Sequence, residues 1–98
     1  MKIIEHYIDD IHEELEGAKH YAEKYIEWKA RGDSNRYNRY KEFANDELKH
    51  AAFVHDIALI DIDSIKRVYT LSDEDEEKWT HAHKHYAECV ALIRQMLM

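Results

Sequence analysis

The chain has no Pro, only two Gly and a single Cys in 98 residues. So few breakers, among many Glu, Lys, Ala and Leu, predict an all-helical protein. One Cys excludes an intrachain disulfide and a Cys-based zinc site. No apolar run exceeds a few residues, so no segment is expected to span a bilayer. Lys plus Arg number 14 against 21 Asp plus Glu, a formal charge of −7. An acidic chain has no general attraction for phosphate backbones or anionic lipid, so neither nucleic acid nor a membrane is expected as a partner. The opening MKIIEHYIDD turns polar and acidic at once, which predicts no secretory signal and a cytoplasmic location. The length fits one domain, residues 1–98. Three helices fit this length comfortably, whereas four long ones do not.

Helical periodicity places the elements. Ile4, Ile8, Ile11, Leu15, Ala18, Ala22 and Tyr25 recur at steps of three and four, which predicts helix 1 over about residues 2–30. Gly32 offers a left-handed stop, and Asp33 or Ser34 the next N-cap. That reading also accounts for the Arg31-Gly32-Asp33 triplet, which resembles a cell-adhesion tripeptide. Helix 2 is expected over about 35–60, with Tyr40, Phe43, Ala44, Leu48, Ala51, Val54, Ile57 and Ala58 as its stripe. The short connection makes helices 1 and 2 antiparallel neighbours, a hairpin over about 2–60. Residues 61–71 are ambiguous, with Asp63 or Ser64 able to cap one short turn through Val68. Ser72 caps helix 3, expected over about 73–97, with Asp73, Glu74 and Asp75 where the helix dipole favours acids. Its stripe is Trp79, His83, Tyr86, Val90, Ile93 and Leu97.

The functional signal is what interrupts these stripes. Tyr7, Glu14, Tyr21 and Trp28 share one line at heptad spacing, which puts Glu14 mid-helix in the centre of the apolar face. Glu47 lies on the line of Tyr40 and Val54, and His50 on the line of Phe43 and Ile57. Three residues apart, Glu47 and His50 project from one face. Glu14 stands about 17 residues before the turn, and Glu47 and His50 about 12 and 15 after it. At about 1.5 Å per residue these heights agree within a turn, so the three should converge between the helices.

A lone carboxylate in an apolar setting costs several kcal/mol unless paired, protonated or bound to a cation. No Lys or Arg falls on the inner lines at this level, and His50 is a weak counter-charge for two carboxylates. A divalent metal resolves the account, and oxygen plus imidazole donors suit iron, manganese or zinc. Gly17, mid-helix beside Glu14, reads as room for close packing.

Glu14 followed by Tyr21, and Glu47-Leu48-Lys49-His50, resemble the ferritin-like di-iron proteins, which place a Glu on one helix and Glu-x-x-His on the next. The separation of Glu14 from Glu47 is similar to that in rubrerythrins, and the phrases HEELEGAKHY (12–21) and DELKHAA (46–52) are similar to those of encapsulated ferritins. The resemblance covers about residues 5–58. It implies a di-iron site with Glu14 and Glu47 as bridging and terminal ligands, His50 as a terminal ligand and Tyr21 hydrogen-bonded to a ligand Glu. It further implies the ferroxidase reaction, oxidation of Fe(II) by dioxygen or peroxide.

The chain carries half of the superfamily's ligand set and lacks rubredoxin cysteines. Two hairpins about a two-fold axis would complete a four-helix bundle, so a homodimer or a ring of dimers is expected, with helix 3 bracing a neighbour. A protein compartment or an iron store is the further partner implied. No tail follows helix 3, which argues against targeting to an encapsulin shell by such a tail. Two other function classes stand beside this one: a non-catalytic zinc- or manganese-binding protein using the same residues, and a metal-free helical oligomerisation module.

The remaining histidines read as peripheral. In the run His81, His83, His85 only the first and last share a helix face, and a solvated face with a partly buried His83 is expected. His6, His12, His20 and His55 fall at stripe edges and read as surface groups, with His20 beside Tyr21 near the expected site. Glu88 is the helix 3 carboxylate best placed to complete a site within one chain, and Cys89 reads as a small core residue.

Overall fold

The computed structural model describes residues 1–98 and contains three α-helices: α1 (Lys2–Ala30), α2 (Ser34–Val68) and α3 (Asp73–Met96). The chain ends of the helices show why they start and stop there. Gly32 takes φ +73° and closes α1, a conformation that costs glycine nothing. The Asp33 carboxylate accepts from the Arg36 amide at 3.1 Å, capping α2. The Ser72 hydroxyl accepts from the Asp75 amide at 3.1 Å, capping α3, whose first turn holds four acids, Asp73 to Glu76.

α1 and α2 pack antiparallel along a line of small residues. Ala18, Ala22, Ala44, Ala51 and Ala58 are fully buried, which lets the two helix backbones approach closely. Ile4, Ile11, Leu15, Tyr25, Leu48 and Ile62 extend that core lengthwise. α3 runs parallel to α1: the N-terminal amine meets Asp75 at 2.9 Å at one end, and Lys29 donates to the Met98 carbonyl at the other. Trp79, Ile93 and Leu97 are its buried anchors. The whole is a rod, 54 × 18 × 17 Å. No helix is long and apolar enough to cross a membrane.

One difference from expectation has a clear cause. α2 does not stop near residue 60 but continues unbroken to Val68. Ser64 does not cap; its hydroxyl donates back to the Ile60 carbonyl at 3.0 Å, and Asp63 pairs with Arg67 one turn on. α3 packs along its own hairpin.

The buried line of α2 keeps Ala44, Leu48, Ala51 and Ala58 of the expected stripe but turns away from Phe43, Val54 and Ile57 toward His55 and Ile62. Phe43 is exposed, and Val54 and Ile57 are half-buried. His55, expected at the surface, is 6% exposed. Its ring stacks on Tyr86 with centroids 4.0 Å apart and exchanges a hydrogen bond with His83 at 2.8 Å. His83 itself is exposed rather than partly buried. This stack joins α2 to α3.

Candidate metal site

Glu14 from α1, with Glu47 and His50 from α2, converge at one level of the hairpin. One ligand-type atom from each lies within 4.8 Å of the other two. The Glu14 carboxylate is 3.6 Å from His50 Nδ1. The three lie on the outer edge of the hairpin core rather than in the centre of its apolar stripes. Glu14 and Glu47 are half-buried and His50 is exposed. The reason is the shifted stripe: with alanines forming the α1/α2 contact line, the lines through Glu14, Glu47 and His50 face outward, into a shallow groove.

That groove is lined only by α1 and α2, and it contains no Lys or Arg. Glu13 and Glu16 rim it together with His20 and Tyr21. α3 contributes nothing to it, so Glu88 does not complete the site. Tyr21 borders the groove, but its contacts are aromatic, to Phe43 at 5.3 Å and Tyr40 at 6.2 Å between ring centroids. In the single chain it packs instead of hydrogen-bonding a glutamate.

The two carboxylates crowd one another. Hydrogen bonding with Glu14, then burial, then the Glu14 charge, push the Glu47 pKa from 4.5 to about 6. His50 pulls weakly the other way. Proximity of two carboxylates favours keeping a proton or recruiting a cation. Gly17 permits this closeness: a Cβ there would stand 3.3 Å from Glu47 Oε2. The expected packing role of Gly17 is thereby given a partner, Glu47 across the hairpin.

Lower on the same face, Tyr7 donates a close hydrogen bond to Asp61, and Asp61 raises the Tyr7 pKa. The sequence offered no sign of this pair, because Asp61 lay in the stretch whose helicity was ambiguous. No family model, curated protein or solved structure matches the chain. The donor chemistry of the groove therefore carries the functional argument.

Proposed function

We propose that the chain is a cytoplasmic, ferritin-like di-iron protein that oxidises Fe(II) with dioxygen or peroxide at a site shared between two copies. The observation that carries this reading is the convergence of Glu14, Glu47 and His50 in a groove open on the side away from α3. One copy supplies two carboxylates and one imidazole. That is half of the four carboxylates and two imidazoles of a ferritin-like site. A two-fold axis through the groove supplies the rest, and its interface is self-complementary by symmetry.

The surroundings of the groove suit a second copy. Phe43, 39% exposed, sits with Tyr21 and Tyr40 beside the acids, and Phe53 and Ile60 on the flank of α2 are each 66% exposed. Covering such apolar surface favours association through the hydrophobic effect. It would also place four carboxylates near the axis, an arrangement that needs cations. A ring of such dimers, docked to a protein compartment or iron store, is the assembly the ferritin-like resemblance implies.

The donors fit the metal. Oxygen and imidazole ligands suit iron, with manganese and zinc as competitors. In this reading Glu14 and Glu47 would hold the ions as carboxylates, Glu47 in its deprotonated form. His50 is a terminal ligand, oriented by the helical turn it shares with Glu47. Bound iron supplies the one-electron chemistry that the side chains lack. Tyr21, which borders the groove, would supply a hydrogen bond to a ligand glutamate. Glu13 and Glu16 add negative potential at the rim that draws in Fe(II).

Aerobic Fe(II) addition to metal-free protein tests this. Rapid ferric absorbance at stoichiometric iron is expected, and its loss in Glu14→Ala and Glu47→Ala. Oxidation no faster than in buffer overturns the ferroxidase reading. The exposure of His50 favours a second reading, a non-catalytic manganese or zinc protein with labile binding. Tight Zn(II) or Mn(II) uptake without accelerated Fe(II) oxidation would select it. Absence of any metal uptake, with the oligomer intact in Glu14→Ala, would select the metal-free oligomerisation module.

A further inference from the structure

We propose that the tip of the α1/α2 hairpin is a docking surface for the opposite, acidic end of a second copy, so that rods associate head to tail. This contact is distinct from the two-fold interface at the Glu14 groove, and it rests on no metal.

The formal charge of −7 conceals an uneven distribution. Residues 24–41, where α1 turns into α2, hold six Lys and Arg against two acids, a net of +4. The remaining 80 residues therefore carry −11. Residues 61–78, where α2 turns into α3, hold seven acids against three Lys and Arg, a net of −4. The two segments lie at opposite ends of the 54 Å rod, joined by α2. The chain termini each take one charge away: the N-terminal amine meets Asp75 at the acidic end, and Met98 lies beside Lys29 at the basic tip. The polarity of the rod remains.

The tip presents its cations in fixed positions. The Arg31 guanidinium lies 4.7 Å from the centre of the Trp28 ring, and so does that of Arg36. One indole thus steadies an arginine from each side of the turn, which lowers the ordering cost of meeting an anion. Both side chains stay largely exposed, as does Arg39. Lys29 and Lys41 lean on the Tyr25 ring and pair with no side-chain carboxylate.

The far end offers matching groups. Asp73 and Glu77 are exposed, stand one turn apart on α3 and pair with no cation of their own chain, whereas Glu74 and Glu76 are engaged by Lys78 and Lys66. Val68 and Tyr69, 74% and 65% exposed, add apolar surface there and an aromatic face for a guanidinium. Copies of an acidic chain repel one another side by side. End-to-end alignment instead sets +4 against −4 and steers the encounter. A contact between two unlike surfaces repeats along a line or closes into a ring. Exposed ion pairs are individually weak, so the contact forms at high protein concentration and low salt and leaves dilute protein undisturbed.

Analytical ultracentrifugation of the metal-free full chain at high concentration tests the proposal. At about 10 mM salt, where charges act over about 30 Å, the mass is expected to grow with concentration; at about 1 M salt, where their reach is about 3 Å, the growth disappears. The readout is this salt-sensitive growth, from monomer or two-fold dimer alike, so failure of the di-iron reading leaves it intact. Arg39→Glu with Lys41→Glu cancels the net charge of the tip, and Asp73→Lys with Glu77→Lys cancels that of the far end. All four side chains are exposed, so both variants retain the fold, checked by circular dichroism. Neither variant grows alone. Mixed, they associate through the intact tip of one and the intact acidic end of the other. Absence of salt-sensitive growth in the native chain overturns the proposal. So does growth that persists in either variant, or a mixture that stays apart. Tip-dependent binding of single-stranded RNA that outlasts self-association as salt rises names a different partner and overturns it as well.

Discussion

Gly17 and Glu47 face each other across the hairpin so closely that a methyl group on the glycine would sit 3.3 Å from the glutamate oxygen. A mid-helix glycine costs roughly 1 kcal/mol relative to alanine, and here that cost gives the carboxylate its place. Gly17→Ala is expected to stabilise the metal-free chain by up to about 1 kcal/mol, raising Tm by about 4–8 °C. The same change pushes the Glu47 carboxylate outward by a few tenths of an ångström and weakens metal binding. Thermal denaturation of the metal-free protein, paired with metal titration, checks both signs.

Glu47 predicts the pH range of metal uptake. Its pKa is raised from 4.5 to about 6, first by hydrogen bonding with Glu14 in its protonated form. In the metal-free chain this group contributes stability fully present below pH 4.5 and lost as pH rises through about 6. Metal must displace that proton, so affinity should fall by about tenfold per pH unit below 6. Glu47→Gln is expected to remove this pH dependence of stability and abolish metal uptake together. Isothermal titration at pH 5 and 7, with native and variant protein, measures it.

His55 predicts the opposite slope. Burial first, then the His83 charge, hold its pKa below the ordinary 6.5. The unfolded chain takes up the proton before the folded one does. Stability is therefore unaffected above pH 6.5 and falls as pH drops below it. Trp79 lies 5.9 Å from the His55 ring, so its fluorescence in a Trp28→Phe background reports the loosening of α3. His55→Ala should cost about 2 kcal/mol, from a lost hydrogen bond and an unfilled buried space.

If the proposed two-fold assembly forms, its stability should depend on the exposed apolar flank of α2. Phe53 and Ile60 are each 66% exposed in one chain, so neither contributes much to folding the hairpin. Phe53→Lys with Ile60→Lys should leave helicity intact while shifting the protein from dimer to monomer. Sedimentation velocity reads this, and metal affinity should fall with the loss of the partner's ligands.

Much of this was legible in the sequence. The α1 stripe, from Ile4 through Leu15 to Tyr25, matches the buried residues because large side chains dominate it. The caps at Asp33 and Ser72 were readable because their chemistry is local. On α2 the large residues misled. Phe43, Val54 and Ile57 widened the expected stripe to the wrong side, whereas its members Ala44, Leu48, Ala51 and Ala58 are buried and His55 and Ile62 complete the contact line. Close helix packing selects small side chains, which carry little weight in a hydrophobic pattern. The convergence of Glu14, Glu47 and His50 survived this shift, because it depends on height along the hairpin. Their position at an open edge did not, because it depends on which way α2 is turned.

The most direct test of a shared site is native mass spectrometry after anaerobic Fe(II) loading. The account predicts a dimer carrying two iron ions, with metal and dimer both diminished in Glu14→Ala and Glu47→Ala. A monomer that holds iron by itself, or a dimer that binds none, would contradict it.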